Sequence, residues 1–158
     1  MRIRLVAVGR GMPPAIQQLV REYSDRLHHY GGVELIEVPH APWRTDTPER
    51  IQQALCWEKE RLSPHLTPDH PILTLDSCGE AWTSEQFAHH LDRYRHHGHQ
   101  RLAFLIGGPN GYHPSLQPPG IKPLSLGPMT FPHLLVRVLL LEQIYRAFTL
   151  IHRVPYHR

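Results

Sequence analysis

The sequence predicts an α/β fold, with a mainly parallel sheet flanked by helices. Short runs rich in β-branched and other apolar residues alternate with segments of helical periodicity. The run "LAFLIGG" is wholly apolar, which is typical of a strand that is buried on both faces. Such alternation favours a parallel sheet. In sheets of this kind, ligands bind beyond the carboxyl ends of the strands. The predicted strands are residues 3–9, 33–38, 71–76, 102–108 and, more briefly, 124–127.

The segments between these runs carry helix signals. Apolar residues recur at helical spacing from Ile16 to Leu27, and a tyrosine and two glycines then end the pattern. Thr47 precedes a proline and is predicted to cap a second helix. Thr83 with Gln86 predicts a capping box at the start of a third. The last helix is predicted over residues 132–151.

Length and composition indicate one globular domain over residues 1–158. Hydrophobic residues make up 41% of the chain and charged residues 20%, and we find no internal repeat or linker. Two distant cysteines indicate no disulfide framework and favour a reducing compartment. The apolar run at residues 5–8 is too short for a signal peptide, and no stretch approaches the ~20 apolar residues of a membrane span. We therefore expect a cytoplasmic protein without a membrane partner.

We interpret two motifs as turns of the fold and not as cofactor or metal sites. In "VGRGMPP", Gly9 and Gly11 resemble a dinucleotide fingerprint, but Pro14 stands where a third glycine is needed, so we interpret the motif as a strand-to-helix turn. The basic segment at residues 93–101 precedes a strand and so lies at the opposite sheet edge from the expected ligand. Its histidines lack the spacing of a zinc site. We predict a solvated turn, with an accessory RNA contact as the alternative, and no metal site.

Two later motifs favour a binding site and a second subunit. "LIGGPNG" (residues 105–111) predicts a tight turn that exposes backbone groups to a ligand, although it lacks the ending of a phosphate loop. Residues 134–144 are apolar around almost the whole helix, which requires partners on all sides, including a second copy of the chain. Arg137 within that run needs carbonyl or carboxylate partners, and Glu142 is the carboxylate we expect.

Five motifs together resemble the RlmH family, the ribosomal RNA large subunit pseudouridine methyltransferases of the SPOUT class. They are "LVAVG", "ELIEVP", "LIGGPNG", "LSLGPMTFPHLLVRVLLLEQIYRAF" and "PYHR", and they span the chain. The resemblance implies a homodimer with a C-terminal trefoil knot. It also implies an enzyme that uses S-adenosylmethionine to methylate N3 of a pseudouridine. The target would lie in a hairpin loop of 23S rRNA on assembled ribosomes.

The chemistry of this reaction, positions in the sequence and the resemblance together assign roles to particular residues. His133 is the expected base or stabilising group, with simple capping of the last helix as the alternative. Tyr156 would stack on a base, and Arg158 would pair with a phosphate or a uracil carbonyl, in a tail that completes the partner's site. The implied S-adenosylmethionine contacts are Leu75, Gly107, Leu126, Gly127, Pro128, Met129, Thr130 and Phe131.

The sequence departs from relatives in two places, and two other functions remain open. Gly127-Pro128 stands where relatives often carry a serine and a larger residue, which could reshape the adenine loop. Residues 113–123 are often helical in relatives, but the prolines and glycine at 118–120 prevent a helix here. The alternatives are a SPOUT methyltransferase acting on another RNA, such as tRNA, and a non-enzymatic ribosome-binding protein.

Overall fold

A computed structural model describes residues 1–156 and contains one five-stranded parallel sheet. The strand order is β2-β1-β4-β3-β5, and every pairing is parallel, as the sequence predicts. Helices lie on both faces of the sheet, which confirms the predicted α/β class. The strands are β1 (Arg2–Val8), β2 (Val33–Val38), β3 (Ile72–Ala81), β4 (Arg101–Ile106) and β5 (Leu124–Ser125). The α-helices are α1 (Pro14–Leu27), α2 (Pro48–Leu62), α3 (Ser84–His96) and α4 (His133–Ile151), with short 3-10 helices at His28–Tyr30, Ser63–His65 and Pro114–Leu116.

The two faces of the sheet have separate cores. Leu102, Phe104 and Ile106 of β4 face the core that contains α1, α3 and α4, while Ala103 and Leu105 face the core beneath α2. All five side chains are buried, so β4 is covered on both faces, as its apolar run predicts. On the first face α4 packs between α1 and α3, which places the last helix in the middle of its layer.

The strands next to the expected ligand differ in length from their predictions. β3 continues to Ala81 instead of ending near Asp76, and its pairing with β5 shifts register between Leu75 and Glu80. β5 is only two residues long. The Ser125 hydroxyl accepts a hydrogen bond from the Gly127 N–H at 3.2 Å and lies 3.1 Å from the Ser77 carbonyl oxygen. These contacts turn the chain away from the sheet directly after β5.

Side chains set the helix starts and the form of the segment before β5. The Thr83 hydroxyl accepts from the Gln86 N–H, and the Gln86 side chain accepts from the Thr83 N–H, which confirms the capping box. The predicted cap at Thr47 is also present. Residues 113–123 contain one short 3-10 turn and no α-helix, as their prolines predict. The Gln117 side chain accepts hydrogen bonds from Thr74 of β3 and, at 2.8 Å, from Tyr112, which holds this segment against the sheet.

Candidate active site

A cavity of about 750 Å³ lies at the carboxyl ends of the central strands, where the sequence predicts a ligand. Its walls come from the end of β3, the turn after β4 and the loop that joins β5 to α4. His133 also lines the cavity, whereas Pro128 does not. The other predicted cofactor residues all line it: Leu75, Gly107, Leu126, Gly127, Met129, Thr130 and Phe131. The structure therefore brings seven of the eight predicted cofactor residues together, and their role in cofactor binding stays a prediction.

The turn after β4 requires glycine. Gly108 and Gly111 exchange two backbone hydrogen bonds of 2.9 Å each, and Gly111 has a φ of +79°. A Cβ atom on Gly107 would lie 2.4 Å from the backbone carbon and oxygen of Gly111. No side chain fits in that space, so the glycine at 107 keeps the turn closed and places bare backbone at the cavity wall.

The loop from β5 to α4 forms an open wall. Gly127 has a φ of +128°, a value that favours glycine. Met129 is 69% exposed although it lines the cavity. An apolar side chain at the rim of a cavity offers contact area to whatever covers the cavity.

His133 forms an edge-to-face pair with His40 beside this cavity. The ring centres are 5.3 Å apart at an angle of 88°. The Nε2 atoms of His40 and His133 lie 2.8 and 2.9 Å from the point that a Cβ atom on Gly9 would occupy, so glycine is needed there too. Burial, His40 and then Arg137 lower the pKa of His133. The imidazole is therefore neutral at neutral pH and able to accept a proton.

The alternative role for His133, capping α4, receives no support. Pro132 is the N-cap residue of α4, and within residues 1–156 no side chain makes a capping hydrogen bond there. His40 was not among the site residues predicted from the sequence. It is the second residue after β2, which ends at Val38, so the rule that ligands bind beyond strand ends could have identified it.

Arg137 is fully buried one helical turn after His133. It forms a salt bridge with Glu37 of β2 and donates to the carbonyl oxygens of Val8 at 2.8 Å and Gly9 at 2.7 Å. The expected pairing with Glu142 is therefore wrong. Five residues along a helix correspond to a rotation of about 140°, so Glu142 lies on another face of α4. Glu142 accepts instead from Arg146, whose Nε is 3.0 Å away.

The C-terminal segment lies away from the cavity of its own chain. Tyr156 places its hydroxyl 3.3 Å from a carboxylate oxygen of Glu142 and its ring edge-on to Tyr145, with centres 4.8 Å apart. The Arg146 guanidinium is 4.9 Å from the centre of the Tyr156 ring. Glu142 is nine residues beyond His133, or about 14 Å along α4. Arg158 lies outside the described residues.

The environment of Tyr156 keeps its hydroxyl protonated. Burial, followed by a hydrogen bond with Tyr23 and the nearby Glu142 carboxylate, raises the pKa of Tyr156 to about 12. A phenol with this pKa donates a hydrogen bond at neutral pH and does not act as a base. Stacking and hydrogen bonding are the roles that fit it.

Three polar residues at the cavity were not predicted as site residues: Asp76, Ser77 and Asn110. A carboxylate oxygen of Asp76 accepts from the Cys78 N–H at 2.8 Å, and the Asn110 amide donates to the Thr45 hydroxyl at 3.1 Å. Asp76 lies at the predicted end of the third strand and Asn110 in the turn after the fourth, so both stand where the strand-end rule directs attention.

The described residues contain neither a cluster of potential metal ligands nor a helix that could span a membrane. Over residues 1–156, no three or more His, Cys, Asp or Glu side chains are grouped in a way that could hold a metal ion. No helix in the same range combines the length and apolar character needed to cross a bilayer.

Comparisons with known proteins agree with the resemblance. The family model described as "Predicted SPOUT methyltransferase" matches residues 1–157. The ribosomal RNA large subunit methyltransferase H of Alkalilimnicola ehrlichii is 42% identical over 158 residues, which cover 100% of this chain and 99% of the relative. The proteins of the same name from Magnetococcus marinus and Exiguobacterium sibiricum are 41% and 38% identical, with at least 99% of each chain covered. The chain therefore belongs to the SPOUT methyltransferases, in the family of the ribosomal RNA large subunit methyltransferase H proteins.

Proposed function

We propose that this protein uses S-adenosylmethionine to methylate N3 of a pseudouridine in a hairpin loop of 23S rRNA, on assembled ribosomes in the cytoplasm. The observation that carries the proposal is the cavity at the strand ends. It gathers the glycine turn, the loop of residues 126–131 and His133. Full-length similarity to large subunit rRNA methyltransferases supports the choice of RNA.

The cavity fits a nucleoside-sized cofactor. Its volume of about 750 Å³ is within the ~300–1,000 Å³ typical of ligand pockets. Gly107 and Gly127 leave backbone groups uncovered, and Leu75, Leu126 and Phe131 supply apolar walls for a flat ring. Recognition of adenine would therefore rest on backbone hydrogen bonds and shape. S-adenosylmethionine would supply an electrophilic methyl group on a sulfonium.

His133 is the residue we assign to the proton on N3. Its neutral imidazole lies at the cavity wall, and its lowered pKa leaves it free to accept a hydrogen bond or a proton at neutral pH. The salt bridge to Glu37 fixes the start of α4 against the end of β2, and the hydrogen bonds of Arg137 to the Val8 and Gly9 carbonyls fix it against the end of β1. These contacts hold His133 in place. His40 packs edge-to-face with the His133 ring, a contact that restricts the rotation of that ring.

We propose a homodimer in which the tail of one protomer completes the site of its partner. Tyr156 docks about 14 Å along α4 from His133, so it does not serve the cavity of its own chain in this arrangement. Leu134, Leu135 and Leu139 of α4 are only partly buried in the single chain, which leaves apolar surface for a second copy. Light scattering at micromolar concentration should give about twice the chain mass, and an active monomer would contradict the shared site.

We also propose, from the family resemblance, that the C-terminal part of the chain forms a trefoil knot. Residues 107–123 leave β4 and return on the far side of β3, and the chain then re-enters the helical layer as α4, between α1 and α3. Gln117 holds that long connection to Thr74 of β3. A knot would require the chain end to pass through such a connection, and knots are rare among folds.

The test is methyl transfer to ribosomes from a bacterial strain that lacks its own large subunit methyltransferase H. Mass spectrometry of 23S rRNA fragments should show one added methyl group on one pseudouridine. Naked rRNA should react more slowly, because a net charge of +3 gives weak, salt-sensitive phosphate binding without shape contacts. Methylation of tRNA instead would favour the other RNA. S-adenosylmethionine that does not bind in calorimetry would favour a non-enzymatic ribosome-binding protein.

A further inference from the structure

A second cavity of about 560 Å³ lies beside α3 and shares no lining residue with the candidate active site. We call it the α3 groove. It is formed between α3, the turn after it and the segment at residues 120–122. The residues that define it here are Trp82, His90, Arg93, Tyr94, His99 and Lys122.

Flat rings form much of the groove wall. The indole of Trp82 stacks on the imidazole of His90, with ring centres 3.9 Å apart and planes within 7°. Tyr94 meets His99 edge-on, with centres 6.0 Å apart. Such rings provide stacking surfaces of the kind on which proteins place unpaired nucleic-acid bases.

Two positively charged side chains, Arg93 and Lys122, lie next to these rings. Arg93 and Lys122 line the groove and are exposed. Across the part of the chain that the structure describes, neither side chain forms a salt bridge or a hydrogen bond. Glu80 is the one carboxylate among the described residues that line the groove. The balance of charge therefore favours an anion, and phosphate groups are among the anions that arginine and lysine bind.

The groove adjoins the proposed cofactor loop. Trp82 also lines a smaller cavity of about 260 Å³, together with Leu126, Gly127 and Phe131. One aromatic side chain thus separates the α3 groove from the back of the loop that lines the active site. A ligand chain seated in the groove would continue close to the site of methyl transfer.

We propose that the α3 groove binds an unpaired nucleotide of the RNA substrate, other than the one that is methylated. This inference rests on the proposed RNA methyltransferase function. The base extends the Trp82–His90 stack, and Arg93 with Lys122 contacts the flanking phosphates. Residues 93–101, interpreted from sequence as a solvated turn, then supply part of this RNA contact through Arg93 and His99.

The first experiment measures RNA binding without methyl transfer. The probe is a fluorescein-labelled oligouridine, which is single-stranded, and the readout is anisotropy over a range of salt concentrations. The double variant Arg93→Ala/Lys122→Ala should bind ~10-fold more weakly. Its plot of log affinity against log salt should lose about 1.4 units of slope, or ~0.7 for each phosphate contact. The variant His90→Ala should weaken binding ~5-fold or more, because the stack loses one ring.

The matched control is Arg21→Ala/Lys59→Ala. It removes the same charge from α1 and α2, at positions that line none of the cavities described. The control should bind oligouridine like the unmodified protein. On ribosomes, Arg93→Ala/Lys122→Ala should raise KM ~10-fold while kcat and S-adenosylmethionine affinity stay unchanged.

The outcomes separate this inference from the proposed function. Equal oligouridine binding by the groove variant and the control would overturn the inference, even if ribosomes are methylated. Oligouridine that does not bind the unmodified protein would also overturn it. Groove-dependent oligouridine binding in a protein that methylates no rRNA would support the groove and reject the proposed target.

Discussion

Arg137 of α4 and Glu37 of β2 form a salt bridge between positions that are one hundred residues apart in the sequence. Arg137 is fully buried, and its other guanidinium contacts are the carbonyl oxygens of Val8 and Gly9. A charge in such a place needs its partners, because an unpaired buried ion is very costly. The pair therefore joins the start of the last helix to the ends of the first two strands.

Removing the Glu37 carboxylate should strongly destabilise the protein. We expect Glu37→Gln to lower the free energy of unfolding by ~3–5 kcal/mol, because it leaves the buried Arg137 charge without its counterion. Urea denaturation measures the loss. The control is Glu34→Gln on the same strand, whose pair with Arg4 is partly solvated and should contribute less than ~1 kcal/mol. Equal losses in the two variants would contradict this account.

Gly107→Ala should abolish cofactor binding by opening the turn after β4. The new Cβ atom would lie 2.4 Å from the Gly111 backbone, so the turn has to move away from the cavity wall. Gly98→Ala is the control. That position has a φ of +82° with open space around it, so the variant bears only a backbone strain of ~1–2 kcal/mol. Calorimetry should show S-adenosylmethionine binding in the control alone, and binding by Gly107→Ala would refute the assignment of the turn.

His133→Gln should lower methyl transfer by ~10²- to 10⁴-fold while cofactor binding persists, since general base catalysis contributes on that scale. The pH profile of kcat/KM should fall on the acid side, with its midpoint below the ordinary histidine pKa of 6.5, because burial first and then His40 lower the pKa of His133. His40→Gln removes one of those causes and should move the midpoint to higher pH. An unchanged midpoint would disprove the coupling of the two rings.

The same pKa shift has a consequence for stability. A histidine whose folded pKa is depressed binds protons more readily when unfolded, so its contribution to stability is present above pH 6.5 and is lost as pH falls through the folded pKa. His133→Gln should therefore flatten the decline of the melting temperature between about pH 7 and 5. Melting curves of the variant and of the unmodified protein check this directly.

Deleting residues 156–158 should impair methyl transfer ~100-fold or more while cofactor affinity survives, because the cavity residues remain in place. Loss of the Tyr156 contacts with Glu142 and Tyr145 should cost only ~1 kcal/mol of stability. Mixing tail-deleted chains with full-length Gly107→Ala chains should restore part of the activity. In one site of each mixed dimer, the tail-deleted chain supplies an intact cavity and the Gly107→Ala chain supplies an intact tail. Absence of rescue would confine each tail to its own subunit.

Sequence patterns predicted the elements of this fold well because each pattern has a local cause. The capping box at Thr83, the cap at Thr47 and the buried β4 depend on residues close together in the chain. The strand-end rule then located the cavity, since parallel strands bring their carboxyl ends to one edge.

Relationships between distant residues were less accessible to sequence reasoning. The wrong partner for Arg137 was the nearest carboxylate along the helix, whereas the true one, Glu37, depends on how α4 crosses the sheet. His40 and Trp82 were missed for the same reason, because a ring pair or a groove wall exists only after separate segments pack. Helical periodicity predicts which face of a helix is apolar, but it does not predict which residues pack against that face.

The position of β1 in the sheet has a consequence for how the chain reaches its native state. β1 lies between β2 and β4, so one of its edges stays unpaired until residues 101–106 are available. The carbonyl oxygen of Val8, at the carboxyl end of β1, accepts a hydrogen bond from Arg137, which is still further away in the sequence. Pairings of such sequence separation give a high contact order, and we expect refolding in milliseconds to seconds rather than in microseconds. During synthesis, the first strand leaves the ribosome long before its central neighbour exists, so the sheet can close only late in translation.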